Sequence, residues 1–166
     1  MTDRTMVHFP VGTDRLFNYR VAAVAIHQGH VLLCREDDDD YTMLPGGRVE
    51  LGESTLVALH REIAEELQAP AEVQRLLITA EDFFTNAGRK VHEISAYYLI
   101  ELSPEFPFAP GRVKEVEDEG HLLQFDWVPT DPASLRRYNL RPYWIDPYLA
   151  NPPAQTLHLI FDRQNP

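Results

Sequence analysis

One amphipathic stretch, residues 54–67, lies between two groups of segments that read as β-strands, and this arrangement limits the fold more than any other feature of the chain. Leu56, Leu59, Ile63 and Leu67 recur at helical spacing and form an apolar stripe that would face a core. Pro70 stops the helix just beyond. Before it, residues 19–27 and 30–35 read as strands joined at Gln28-Gly29, and residues 41–44 as a short strand leading into Pro45-Gly46-Gly47. After it, residues 72–84 and 91–102 read as a hairpin turning at Asn86-Ala87-Gly88, and residues 121–128 as a further strand. Residues 103–120 are rich in proline and acid without an apolar period, which predicts a long loop of the kind that carries function. Thr130 or Asp131 can cap a short helix to about residue 138, with a second helix over 142–150 and a last strand over 156–161. Strands on both sides of one long helix predict a mixed α/β or α+β sandwich. A length of 166 residues fits a single domain, 1–166.

The helix carries its acids at the unfavourable end. Glu62, Glu65 and Glu66 fall in its last turns, where the partial negative charge of a helix C-terminus makes each exposed carboxylate cost roughly 0.3–1 kcal/mol. Glu62 and Glu66, four apart, add a like-charge pair worth roughly 0.2–0.5 kcal/mol against the helix. The same offsets bring the three side chains onto neighbouring positions of the surface, so a divalent cation is the obvious compensation. Upstream, Gly46 and Gly47 let backbone approach a ligand closely. Glu53 and Arg61 are eight residues apart, about two helical turns, which allows an ion pair between them.

Residues 47–69, GRVELGESTLVALHREIAEELQA, resemble the Nudix box of the Nudix hydrolases, G-x5-E-x7-R-E-U-x-E-E-x-G-U. Gly47, Glu53, Arg61, Glu62, Ile63, Glu65 and Glu66 fall in register, with the small apolar Ala69 at the last position. One position departs: Gln68 stands where the motif has glycine. That glycine would end the helix in a left-handed conformation, which another residue adopts at a cost of roughly 1–2 kcal/mol. The resemblance implies the α/β/α Nudix fold, a sandwich with a mixed sheet and a loop-helix-loop catalytic motif. It also implies Mg²⁺ or Mn²⁺ held by Glu62 and Glu66, with Glu65 as third ligand or water activator and the Gly46 carbonyl as a further ligand. Arg61 and Glu53 would orient the cluster through their ion pair. The implied reaction is displacement at phosphorus by water, cleaving a nucleoside diphosphate linked to another moiety, with catalysis mainly from positioning and electrostatics.

Family members often add an acid from outside the box. Glu115, Glu117, Asp118 and Glu119 in the predicted long loop, and Glu93 beside His92 in a strand, are the candidates. His92 alternates with apolar neighbours and reads as a hydrogen-bonded structural histidine. Phe83, Phe84, Tyr97 and Tyr98 read as core, whereas Tyr143, Trp144 and Tyr148 are open to the core, a homodimer contact or a substrate. No residue outside the box names the substrate; a nucleoside di- or triphosphate or a sugar nucleotide is the expectation. Residues 130–166 carry no recognised role.

Charge and cysteine usage narrow the alternatives. A formal net charge of −11 with only 15 lysines and arginines, and no cluster of them, argues against nucleic-acid binding. It therefore disfavours an RNA-end pyrophosphohydrolase, and it requires local cations wherever a polyanion binds. A catalytically silent Nudix-fold nucleotide-binding or regulatory module is the other alternative, which the complete set of box residues disfavours. The longest apolar run near the N-terminus, residues 21–26, is too short to span a bilayer. A single cysteine, Cys34, excludes an intramolecular disulfide and agrees with a cytoplasmic protein.

Overall fold

Three hairpins turn on two-residue loops that end in glycine: Gln28-Gly29, Ala87-Gly88 and Glu119-Gly120. Both residues of each loop have positive φ, 47° and 72°, 48° and 77°, and 47° and 87° respectively. This is the turn whose twist matches that of paired strands. The computed structural model describes residues 5–164; residues 1–4 and 165–166 of the expected domain lie outside them. A short strand β1 (His8–Val11) opens the described chain, followed by β2 (Arg15–His27) and β3 (His30–Glu36) around the first turn. Helix α1 (Thr55–Glu62) leads to β4 (Ala71–Asn86) and β5 (Arg89–Leu102) around the second turn, and β6 (Gly111–Asp118) and β7 (His121–Pro129) close on the third. Helices α2 (Pro132–Arg137) and α3 (Asp146–Ala150) and strand β8 (Leu157–Asp162) complete it.

The strands form a mixed sheet in the order β6-β7-β3-β2-β5-β4-β8, with β1 on β2. β2 runs parallel to β5 and β8 parallel to β4, while the other pairs are antiparallel. β2 and β3 pair only beside their turn, Ile26 with Val31 and His27 with His30, and then splay apart. Residues 42–49 fill the fork. Met43 exchanges both backbone hydrogen bonds with Cys34 of β3, at 2.7 and 2.8 Å. Pro45 and Gly47 accept from Ala23 and Val21 of β2 at 2.8 and 2.9 Å. The backbone groups of the splayed strands are thereby satisfied, and the glycine turn is fastened in the middle of the sheet. At Gly46 (φ 138°) a Cβ would overlap the Val21 carbonyl oxygen, so the strap lies too close to β2 for any side chain.

Both faces of the sheet are covered. On one, Ala58, Leu59, Ile63 and Leu67 bury against Val21, Ala23, Ile100 and Phe125. On the other, Leu135, Leu140, Ile145 and Leu149 bury against Val24, Leu33, Ile78 and Tyr97. The described part of the segment 130–166, residues 130–164, thus supplies the second helical layer and an edge strand, and the expected α/β/α sandwich is present. No helix among the described residues is long and apolar enough to cross a membrane.

Several local expectations need correction. Residues 111–118 are a strand, not loop; they pair with β7 from Gly111–Trp127 to Asp118–His121. Their polar side chains obscured the pattern because only Val116 is buried. Residues 41–44 form isolated bridges at Thr42 and Met43, being held in the fork rather than along a strand. Leu56 is exposed, and Ala58 takes its place in the buried face. His92 is stacked on Phe83 and edge-on to Phe17, and its Nε2 has no hydrogen-bond partner among the described residues.

Candidate active site

The helix expected over 54–67 is built in two pieces. Ser54 caps α1 by accepting from the Val57 N–H at 3.3 Å. After Glu62 the chain widens into a π-helical turn, Ile63–Leu67, and ends at Gln68 with φ 48° and ψ 40°. Gln68 therefore takes the left-handed position that the box assigns to glycine, despite its Cβ. The C-terminal carbonyl of Leu67 accepts a hydrogen bond from Lys114 Nζ of β6, so a cation does sit at the end where the acids are unfavourable. The π turn keeps Ile63 and Leu67 in the core while Glu62 and Glu66 reach the glycine strap.

Two carboxylates press against that strap. Glu66 Oε2 accepts the Gly46 N–H at 2.8 Å. The Glu62 carboxylate packs so closely on Gly47 that a Cβ there would overlap it. Glu62 is buried, and Glu66 keeps only a partial opening to solvent. Desolvation, then the neighbouring charge of Glu62, pushes the Glu66 carboxyl up to about 8. Burial also raises Glu62, against the opposing hydrogen bond and charge of Arg61. No described cation comes within ion-pair distance of Glu66.

Arg61 gathers the remaining acids. It bonds Glu53 Oε1 and Glu62 Oε1, each at 2.7 Å, and reaches Glu65 at 3.3 Å, Glu50 at 3.5 Å and the Arg48 carbonyl at 3.0 Å. Burial alone would lower its pKa, but the hydrogen bonds to Glu53 and Glu62 outweigh that and hold the guanidinium charged. The Glu53–Arg61 ion pair is present, and Glu53 is itself fixed by the Glu50 N–H at 2.8 Å. Glu65 sits on Arg61, away from the cleft that Glu62 and Glu66 line.

That cleft has a volume of about 430 Å³. Glu62, Glu66, Gly46 and Gly47 form one wall. Of the candidate acids outside the box, Asp118 and Glu119 line it, at the turn between β6 and β7. Glu115 is exposed and bonded to Arg112 at 2.8 Å, and Glu117 is exposed as well. Glu93 accepts from Asn18 at 2.7 Å and Ser95 at 2.9 Å and is not on the cleft wall. The cleft also contains residues that the sequence did not single out: Arg20, Arg48, Glu36 and His121. Glu36, Asp37 and His121 come within 4.8 Å of one another at the rim, with Asp37 and His121 exposed. A larger hollow of about 540 Å³ between α1 and β4 touches none of the box carboxylates, so size alone does not locate the chemistry.

A family model described as the NUDIX domain matches residues 17–146, from within β2 to the second helical layer. The chain belongs to the Nudix family. As a Nudix hydrolase it acts on phosphoric anhydride bonds, and such enzymes generally use divalent metal ions. Similar solved structures include a NUDIX hydrolase from Nitrosomonas europaea, 17% identical over 92% of this chain and 82% of that one, with a TM-score of 0.58. The MutT protein from Bacillus halodurans is 15% identical over 89% of this chain and 92% of its own, with a TM-score of 0.56. An ADP-ribose pyrophosphatase from Streptococcus suis is 16% identical over 87% and 98%, with a TM-score of 0.55. At these identities the likeness is one of fold. No curated protein matches the sequence.

Proposed function

We propose that this Nudix domain is a metal-dependent pyrophosphohydrolase that cleaves a nucleoside diphosphate linked to another moiety, a nucleoside di- or triphosphate or a sugar nucleotide, in the cytoplasm. The observation that carries this reading is the Glu62–Glu66 pair. Two carboxylates sit side by side in a half-closed cleft, both with raised pKa, and one of them lacks a cationic partner among the described residues. Such a pair fits a hard divalent cation better than it fits any role in stability, since each uncompensated buried charge opposes folding.

Glu62, Glu66 and the Gly46 carbonyl would hold Mg²⁺ or Mn²⁺, which when bound would neutralise pyrophosphate charge and lower the pKa of a water. No described residue donates a hydrogen bond to the Gly46 carbonyl, whereas those of Pro45 and Gly47 on either side are spent on β2. Arg61 opposes the rise that burial imposes on the Glu62 pKa and holds its carboxylate by a hydrogen bond, and Glu53 keeps Arg61 in place. Glu65 is the third ligand or water activator, and reaches either role by leaving its 3.3 Å contact with Arg61. Asp118 or Glu119 would accept the proton of the attacking water; the support is that both line the cleft, whereas Glu115, Glu117 and Glu93 do not.

The test is product release from nucleoside di- and triphosphates, sugar nucleotides, dinucleotides and capped RNA. Hydrolysis of one of the first two classes is expected, lost in EDTA and restored by Mg²⁺ or Mn²⁺. No product from any substrate would instead favour a silent nucleotide-binding module.

A further inference from the structure

Arg20 of β2 and Arg48 of the strap are 28 positions apart in the chain, yet they are Cα partners in an isolated antiparallel bridge across the fork. Partners in such a bridge project their side chains to the same face of the sheet. Both side chains line the cleft that Glu62 and Glu66 enter from the strap. Neither makes an ion pair or a side-chain hydrogen bond with any described residue. Three other arginines are engaged with carboxylates: Arg61 with its glutamates, Arg112 with Asp126 and Glu115, and Arg163 with Asp82. Arg48 keeps an exposed side chain, yet desolvation, and then the charge of Arg20, depress its pKa, so the two bridge partners repel each other. Glu36, Glu62 and Glu93 act on Arg48 electrostatically, but none closes to contact. Arg20 likewise acts at a distance on Glu62 and Glu66. Two adjacent cations with no carboxylate in direct contact, in a cleft of a protein with net charge −11, form a place for an anion.

We propose that Arg20 and Arg48 form a phosphate clamp, positioning the diphosphate of the substrate against the Glu62–Glu66 wall. This rests on the proposed hydrolase function and names the groups that hold its polyanion. Guanidinium forks match phosphate oxygens in pairs, and the ligand's charge removes the repulsion between the two arginines. The clamp also answers how so acidic a surface admits a polyanion: one local pair of cations faces the cleft.

The test is calorimetric titration of inorganic pyrophosphate into the full chain in EDTA, together with KM and kcat on any substrate that the product screen finds. Wild type should bind pyrophosphate at one site. R20Q and R48Q should each weaken that binding, and raise KM, on the order of tenfold or more, with kcat changed far less. R48K should recover only part of the loss, because lysine lacks the fork. R137Q, on the exposed face of α2, should bind as wild type does. Melting temperatures of R20Q and R48Q should be unchanged or raised, which separates a binding role from a structural one. Wild-type pyrophosphate affinity in R20Q and R48Q, or no pyrophosphate binding by the wild type, overturns the clamp. If wild type still hydrolyses its substrate in that case, the hydrolase reading stands. Loss of pyrophosphate binding in both variants without turnover by any form sinks the hydrolase reading and keeps the clamp.

Discussion

Glu66→Gln separates what the carboxylate costs the fold from what it does for the site. In the metal-free chain, Glu66 is enclosed by the strap and lies beside Glu62, and its pKa stands at about 8 against an ordinary 4.5. A folded-state pKa above the unfolded one means that the native protein holds a proton which the unfolded chain releases. Stability is therefore full below about pH 4.5 and is lost as pH rises toward about 8. Each pKa unit is worth about 1.4 kcal/mol, so the loss attributable to this group is on the order of 3–5 kcal/mol. Glutamine keeps an oxygen for the Gly46 N–H but does not ionise. In EDTA, E66Q and wild type should melt at similar temperatures at pH 5. At pH 8 the variant should be the more stable, by roughly 10 °C at about 2–4 °C per kcal/mol for a chain of this size. Added Mn²⁺ should raise the wild-type melting temperature at pH 8 and leave E66Q nearly unmoved, and turnover in the variant should fall at least ~10²-fold. Parallel pH profiles for the two proteins in EDTA would refute the assignment of Glu66 as an uncompensated carboxylate.

Gln68→Gly should stabilise the protein by ~0.5–1 kcal/mol, the left-handed cost removed less the entropy that glycine adds to the unfolded chain, read as a higher urea midpoint. A lower midpoint would contradict the left-handed cap. Gly46→Ala should destabilise by roughly 3 kcal/mol or more, because its Cβ meets the Val21 backbone and not a movable side chain. A urea midpoint close to wild type would show that the strap is not so tightly seated. Asp118→Asn or Glu119→Gln should lower kcat at least ~10-fold, whereas Glu115→Gln should be nearly neutral. An equal loss in Glu115→Gln would deny the cleft its role.

The box is legible in the residue order because its logic is local. Glu62, Glu65 and Glu66 follow helical offsets, Glu53 lies two turns from Arg61, and the glycines announce a close approach of backbone. Even so, the π turn that ends the helix leaves no trace in the residue pattern, since Leu59, Ile63 and Leu67 keep the spacing of an α-helical stripe. β6 does not read as a strand, although Glu119-Gly120 repeats the residue-then-glycine turn of Gln28-Gly29. That turn is the available signal, and a solvated edge strand with one buried residue hides it.

By itself the sequence determined the carboxylate cluster, the helix that carries it and most of the strands around it, because these depend on neighbours a few residues apart. Tertiary structure decided which outside acids face the cleft and that residues 130–164 supply the second helical layer and an edge strand. It also decided that Arg20 and Arg48 stand together. Their approach depends on β2 and β3 splaying and the strap filling the fork, contacts between distant segments that no local period or charge count encodes.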